Sequence, residues 1–312
     1  MTRRPYPALL PGQTIGVIAP GGPASEEALQ SAPGVIEAMG YAVRMFPGCY
    51  AKQAYLAGDD DCRLADLHAA FRDPDIAAIL CLRGGYGSGR LLDRIDVPLL
   101  LAHAKPLIGY SDITALHALL SNAGVVSFHG PMLTSDLLDA PDPLTLQGLA
   151  CLRDGLGAGT VLRPPLAEQP VRSAGRAGGR LVGGNLSILA SLLGTPWALD
   201  ARNAILFLEE VGEAPYRIDR LLLQLRLAGV LDGAAGFLLG GFTGMESPAE
   251  VLRAYLEPLG KPVLSGWPAG HCSPNTLLPL GADVELDADG GTVRLREGLI
   301  APIQAQAPQF SA

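Results

Sequence analysis

Short apolar runs alternate with stretches of helical pattern through the first half of the chain, and no other feature limits its fold as much. "QTIGVIAP" from Gln13, "YAVRMFPG" from Tyr41, "IAAILCL" from Ile76, "PLIGY" from Pro106 and "VVSFHGP" from Val125 read as strands. Between them lie helical stretches. One runs from Ser25 to Met39, where Pro33 predicts a kink, and a second is "DDDCRLADLHAAFRD", with acids in its first turn. A third runs from Asp112 to Gly124, with Ile113, Leu116, Leu119 and Leu120 on one stripe. Strands alternating with helices predict a parallel sheet with helices on both faces, and ligands held by loops at the carboxyl ends of its strands.

Beyond residue 159 the pattern changes. "RPPLAEQPVRSAGRAGGR" is rich in proline and glycine with no apolar period, which predicts a linker or mobile loop over 160–178. After it, "AILFLEEVGE", "AAGFLLGGF" and "KPVLSGW" read as strands, with helices in "YRIDRLLLQLRLAG" and "PAEVLRAYLEPLG". "ADVELDADGGTVRLRE" is two alternating runs around Asp-Gly-Gly, a hairpin signal. The expectation is an α/β domain over 1–159 and a smaller mixed α/β domain with antiparallel strands over 179–312.

Composition narrows the partners. Hydrophobic residues make up 48% of the 312 and charged residues 17%, enough for a large core. The net charge of −8, and the lack of any basic run longer than Arg3–Arg4, argue against nucleic acid or an anionic membrane. The longest charge-free run, "LVGGNLSILASLLGTPWAL", is broken by glycine, asparagine, serine and proline into a turn, a helix and a loop, so no membrane span is expected. No apolar segment of signal-peptide length precedes Pro11 and Gly12. The 5 cysteines are odd in number, scattered and without a CxxC pair, which fits reduced thiols. Together these features predict a cytoplasmic protein.

Ser111 sits alone at a strand-to-helix junction in "GYSD". Such a turn exposes a side-chain oxygen beside helix N–H groups, the geometry of a nucleophile elbow, although the same residue also reads as a helix N-cap. A serine nucleophile needs a base and an orienting acid. Of the 5 histidines, His68 and His117 lie in helical patterns, and His129 reads as a hydrogen-bonded structural residue. His271, in the polar turn "GHCSPN", is the candidate base, and Cys272 beside it raises a cysteine nucleophile or a metal site. No second ligand stands at metal-binding spacing, so no metal or other cofactor is expected. Alternation through "ILFLEEV" sends Glu209 and Glu210 to opposite faces at the end of a buried strand, where either a partner or solvent would receive them. The glycine-dense "RGGYGSG" could cradle a phosphate or offer N–H groups to an oxyanion.

The blocks "IGYSD", "RGGYG", "FHGPM", "GGNLSIL", "LFLEEVGEAPYRIDRLLLQL" and "GHCSPN" resemble, in order and spacing, those of the LD-carboxypeptidases, serine peptidases that trim murein tetrapeptides. The resemblance runs from "IGVIAPGGPAS" to the final hairpin, with "LEE" standing where many relatives have "LED". It implies Ser111 as nucleophile, Glu209 rather than Glu210 or Glu213 as acid, and His271 as base. It further implies an oxyanion hole from the N–H groups of Asp112 and Gly85, a flavodoxin-like first domain, and a homodimer. Arg83, directly before the glycines, is the candidate for holding a substrate's terminal carboxylate. The implied reaction is hydrolysis before the terminal D-alanine of a murein tetrapeptide. Two other readings are an immunity-type hydrolase of peptide-nucleotide antibiotics, for which Trp197 or Trp267 would cover a nucleobase, and a non-catalytic nucleotide-binding protein.

Overall fold

The computed structural model describes residues 5–167 and 171–301. The first half contributes β1 (Thr14–Ile18), β2 (Ala42–Met45), β3 (Ile76–Cys81), β4 (Leu107–Gly109) and β5 (Ser127–His129). They pair in parallel in the order β2-β1-β3-β4-β5. Around them lie α1 (Glu26–Ala38), α2 (Asp60–Arg72), α3 (Val97–Ala102), α4 (Thr114–Asn122) and α5 (Pro143–Asp154). Ser25 and Asp59 start α1 and α2 by accepting from the N–H groups of Ala28 and Cys62. The parallel pairing is what the alternation predicts, and the strand order is that of the flavodoxin-like sheet that the family resemblance implies.

The second half contributes β6 (Val161–Leu162), β7 (Arg172–Ser173), β8 (Arg176–Asn185), β9 (Ile205–Val211), β10 (Gly236–Thr243), β11 (Val263–Leu264), β12 (Leu278–Leu280), β13 (Asp283–Asp287) and β14 (Thr292–Leu295). Its helices are α6 (Leu186–Ser191), α7 (Pro215–Leu227), α8 (Val230–Gly233) and α9 (Ala249–Leu256). The second sheet runs β6-β14-β13-β8-β9-β10-β11-β7. Its centre, β8 to β11, is parallel and its flanks are antiparallel, including the expected β13–β14 hairpin. β12 leaves this sheet and adds to the first one, antiparallel to β5, so the two halves interlock.

Two stretches differ from the sequence reading. Within 160–178, β6, β7 and the start of β8 belong to the second sheet; residues 168–170 lie outside the described set. "LVGG", expected as a turn, completes β8. Glycine hides this strand because it is depleted in strands generally, yet contacts here demand it. A Cβ at Gly183, where φ is +137°, would stand 1.9 Å from the Phe207 carbonyl oxygen, and one at Gly184 would stand 2.4 Å from the Thr114 hydroxyl. That close approach seats β8 against β9 and against the first turn of α4. Behind it, Leu206, Phe207 and Leu208 are fully buried, each such side chain contributing about 1.5–3 kcal/mol of transfer free energy.

Candidate active site

The carboxyl ends of β3, β4, β9 and the chain after β11 converge on one point. Ser111 follows β4 directly. Tyr110 is still extended, and Ser111 then turns into the left-handed region at φ +62° before a single 3-10 turn leads into α4. A non-glycine residue there is strained, and such strain collects at functional sites. The turn is fixed from below. His117 of α4 donates from Nε2 to the Gly109 carbonyl at 2.8 Å, so its Nδ1 is the acceptor facing the Ser127 hydroxyl at 2.7 Å. Burial drives the His117 pKa down to about 4, keeping it a neutral latch between β4 and β5.

The second half delivers the other two side chains. His271 Nε2 lies 3.0 Å from Ser111 Oγ, and His271 Nδ1 lies 2.7 Å from Glu209 Oε2. The His271 backbone N–H also donates to Glu209 Oε2, at 3.2 Å. The Glu209 side chain is 0% exposed and that of His271 20%, so the imidazole meets solvent while the carboxylate does not. The Thr243 hydroxyl donates to the His271 carbonyl and steadies the loop. Burial opposes charging of His271. The hydrogen bond and charge of Glu209 outweigh it, with Glu210 and Asp136 adding to them, and lift the imidazole pKa above its ordinary value.

Glu210 does face away from His271, but it is buried, with no solvent at its strand end. Its Oε1 accepts from Asn185 Nδ2 at 2.8 Å and from the Val211 N–H at 2.9 Å, and its Oε2 accepts from the Ser187 N–H at 2.8 Å. Asn185 in turn caps α6 through the Ile188 N–H and donates its own backbone N–H to the Thr114 hydroxyl. This chain of contacts ties the helix behind Ser111 to the strand that carries Glu209. The sequence gives no sign of it, although "GGN" opens one of the blocks shared with the family.

The glycine loop after β3 packs onto Ser111. A Cβ on Gly84 would stand 2.9 Å from Ser111 Cβ, 3.1 Å from its Oγ and 3.4 Å from the Asp112 nitrogen, so only glycine fits. Gly85 follows with φ +93°. The Asp112 carboxylate is buried and accepts from the N–H groups of Gly87 at 3.2 Å and Ser88 at 2.8 Å, pinning the loop. Arg83 is exposed beside it, its guanidinium donating to the Pro23 carbonyl at 3.0 Å.

Other candidates fall elsewhere. His129 is buried as expected but corrects one expectation. Neither ring nitrogen has a hydrogen-bond partner among the described residues, and the ring is packed edge-on against Phe207 at 4.8 Å. Burial first, then the neighbouring histidines, holds it neutral. Cys272 turns its Sγ to the Pro274 carbonyl, and burial pushes its thiol up to about 12, the opposite of an activated nucleophile. Among the described residues no group of three or more His, Cys, Asp or Glu is arranged to hold a metal ion, and no helix is long and apolar enough to cross a membrane.

Residues 15–130 match the model of the LD-carboxypeptidase N-terminal domain, and residues 178–286 that of the LD-carboxypeptidase C-terminal domain. The chain is 42% identical over 303 residues to a Bacillus subtilis (strain 168) protein named "Probable murein peptide carboxypeptidase", covering 94% of each chain. It superposes with a TM-score of 0.81 on the crystal structure of muramoyltetrapeptide carboxypeptidase from Oxalobacter formigenes, at 32% identity over 91% of this chain and 98% of that one. The microcin C7 self immunity protein MccF, in complex with aspartyl sulfamoyl adenosine, superposes with a TM-score of 0.87 at 26% identity, over 96% of this chain and 100% of that one. On the two domain matches and the near full-length identity, this chain belongs to the LD-carboxypeptidase family, whose members are peptidases.

Proposed function

We propose that this protein is a serine carboxypeptidase that removes the terminal D-alanine from murein tetrapeptides by cutting the L,D-peptide bond before it. The observation that carries the reading is the unbroken hydrogen-bonded line from Glu209 through His271 to Ser111, ending on a strained elbow. In this reading Ser111 Oγ attacks the carbonyl carbon while His271 Nε2 takes its proton. The oxyanion forms against the N–H groups of Asp112 and Gly85. His271 then protonates the departing D-alanine nitrogen, and water hydrolyses the ester by the same route in reverse. Arg83, at the rim of the glycine loop, is the proposed holder of the terminal carboxylate. The wider reading is turnover of recycled murein peptides in the cytoplasm by a homodimer. The exposed Leu223 and Leu227 of α7 offer an apolar face for such pairing.

The alternative substrate, a peptide-nucleotide, is the less favoured. Trp267 is 2% exposed, so its ring offers no open face to a base, and Trp197 lies half-buried with one side packed against the core. The test is an assay of purified protein on a murein tetrapeptide, with lysine or diaminopimelate at its third position, beside an aminoacyl-nucleotide. Release of D-alanine from the tetrapeptide is expected. Turnover confined to the aminoacyl-nucleotide would transfer the assignment to the immunity-type activity.

A pH profile checks the base. Attack needs neutral His271, and its pKa lies above the ordinary value of 6.5. Activity is therefore expected to be full above that raised pKa and to fall about tenfold per unit as pH drops below it. A kcat/KM that stays flat to pH 5 would remove His271 from that role.

A further inference from the structure

Asp136 lies in the π-helical turn Leu133–Leu137 that follows β5, in a segment with no motif. Its Oδ2 accepts from the Met132 N–H at 2.9 Å, and its Oδ1 accepts from Asn275 Nδ2 at 3.2 Å. The Tyr110 hydroxyl also bonds to it. The amide of Asn275 is oriented without ambiguity. The Gly270 N–H, an obligate donor, points at Asn275 Oδ1 at 3.0 Å, so the NH₂ end must face Asp136. Burial and then the nearby carboxylates push the Tyr110 phenol well up, so it too arrives as a donor. Burial raises the Asp136 pKa above its ordinary value, and the Met132 N–H, the Asn275 NH₂ and the Tyr110 hydroxyl oppose that rise, since the carboxylate form accepts from all three at once.

The two arms of this network end beside the reacting groups. Tyr110 immediately precedes Ser111, and its ring stands edge-on to the His271 imidazole with centroids 4.9 Å apart. Gly270 immediately precedes His271. The first arm belongs to the first sheet and the second to the loop after β11.

We infer that Asp136 is a positioning residue: through Tyr110 and Asn275 it clamps the residue before the nucleophile to the residue before the base, and it adds a further negative charge to the field of the imidazolium. The titratable and charged groups around His271 are Glu209 from β9, Tyr110 after β4, neutral His129 from β5, Cys272 in its own loop and Asp136, with Glu210, turned to the other face of β9, acting at longer range. Glu209 supplies the direct contact; Asp136 acts at longer range.

The inference rests on His271 serving as base, and the experiment keeps the two claims apart. Ser111→Ala, Asp136→Asn and Tyr110→Phe are compared with wild type on a murein tetrapeptide across pH, with melting curves for each. Asp136→Asn removes the charge with little change of shape. Its acid limb is expected to move to lower pH by about half a unit, because the imidazolium loses a stabilising charge. Tyr110→Phe keeps the charge, cuts one arm of the clamp and removes a single hydroxyl, so it should fold even if Asp136→Asn does not. Its kcat is expected to fall about threefold to tenfold at unchanged KM, with the acid limb in place. A purely structural Asp136 would lower the melting temperature without moving the limb. An unmoved limb in folded Asp136→Asn, or wild-type kcat in Tyr110→Phe, overturns the inference. A Ser111→Ala enzyme that still releases D-alanine would instead remove the reading beneath it.

Discussion

Ser111→Ala is expected to lower tetrapeptide turnover by about 10⁴-fold or more, leaving only what the oxyanion donors and substrate binding supply. The fold should hardly notice. The substitution keeps Cβ against the Gly84 backbone and removes one hydroxyl, whose partner His271 still bonds to Glu209 through its other nitrogen. The melting temperature should therefore stay within about 3 °C of wild type. The backbone strain at φ +62° is untouched by alanine, which carries the same Cβ. Ser111→Gly would be equally inactive, yet glycine adopts that conformation freely. It is expected to melt above Ser111→Ala by an amount corresponding to about 1 kcal/mol. Inactivity with that ordering of melting temperatures would show that the elbow carries strain for the sake of the hydroxyl's placement. An alanine variant that keeps more than a tenth of wild-type turnover would end the nucleophile assignment.

What the sequence made legible was local. Apolar runs followed by helical periods announce a parallel sheet, whereas the order β2-β1-β3-β4-β5 was implied only by the family resemblance. Ser111 stood out because an apolar run stops and a helical stripe begins on either side of it. Its left-handed backbone was not legible, since serine has no preference that marks it. β8 was hidden for the opposite reason. Its glycines look like a loop, and their cause, the Phe207 carbonyl and the Thr114 side chain, lies far away in sequence.

The same distance explains the treatment of the acids. Alternation placed Glu209 and Glu210 on opposite faces, and the family resemblance favoured Glu209. Neither could show that Glu210 is buried among Asn185, Ser187 and Val211. Asp136 gave no signal whatever: one of three aspartates in "MLTSDLLDAPDP", it gains meaning through Tyr110 and through Asn275, 139 positions away.

Those two glutamates give the sharpest remaining contrast, because each should fail in a different measurement. Glu209→Gln keeps the side chain's shape and an oxygen for His271 Nδ1, but removes the charge that stabilises the imidazolium as Ser111 attacks. Turnover is expected to fall by roughly 10²- to 10⁴-fold, and the acid limb to move to lower pH as His271 loses its nearest anion. Stability should change little, since Glu209 Oε1 has no hydrogen-bond partner among the described residues and a neutral amide is cheaper to bury than a carboxylate. Glu210→Gln reverses the pattern. Both oxygens of Glu210 accept from N–H donors, so an amide must turn its NH₂ toward a donor and leave a buried group unpaired, at about 1–3 kcal/mol. That variant should melt several degrees lower while its kcat, measured below the melt, stays within about tenfold of wild type. On the proposed mechanism Glu209 acts through His271 on Ser111, so the double variant Ser111→Ala, Glu209→Gln should be little worse than Ser111→Ala alone. If Glu210→Gln instead lost the activity and Glu209→Gln the stability, the acid of the triad would be Glu210 and the reading of β9 would be wrong.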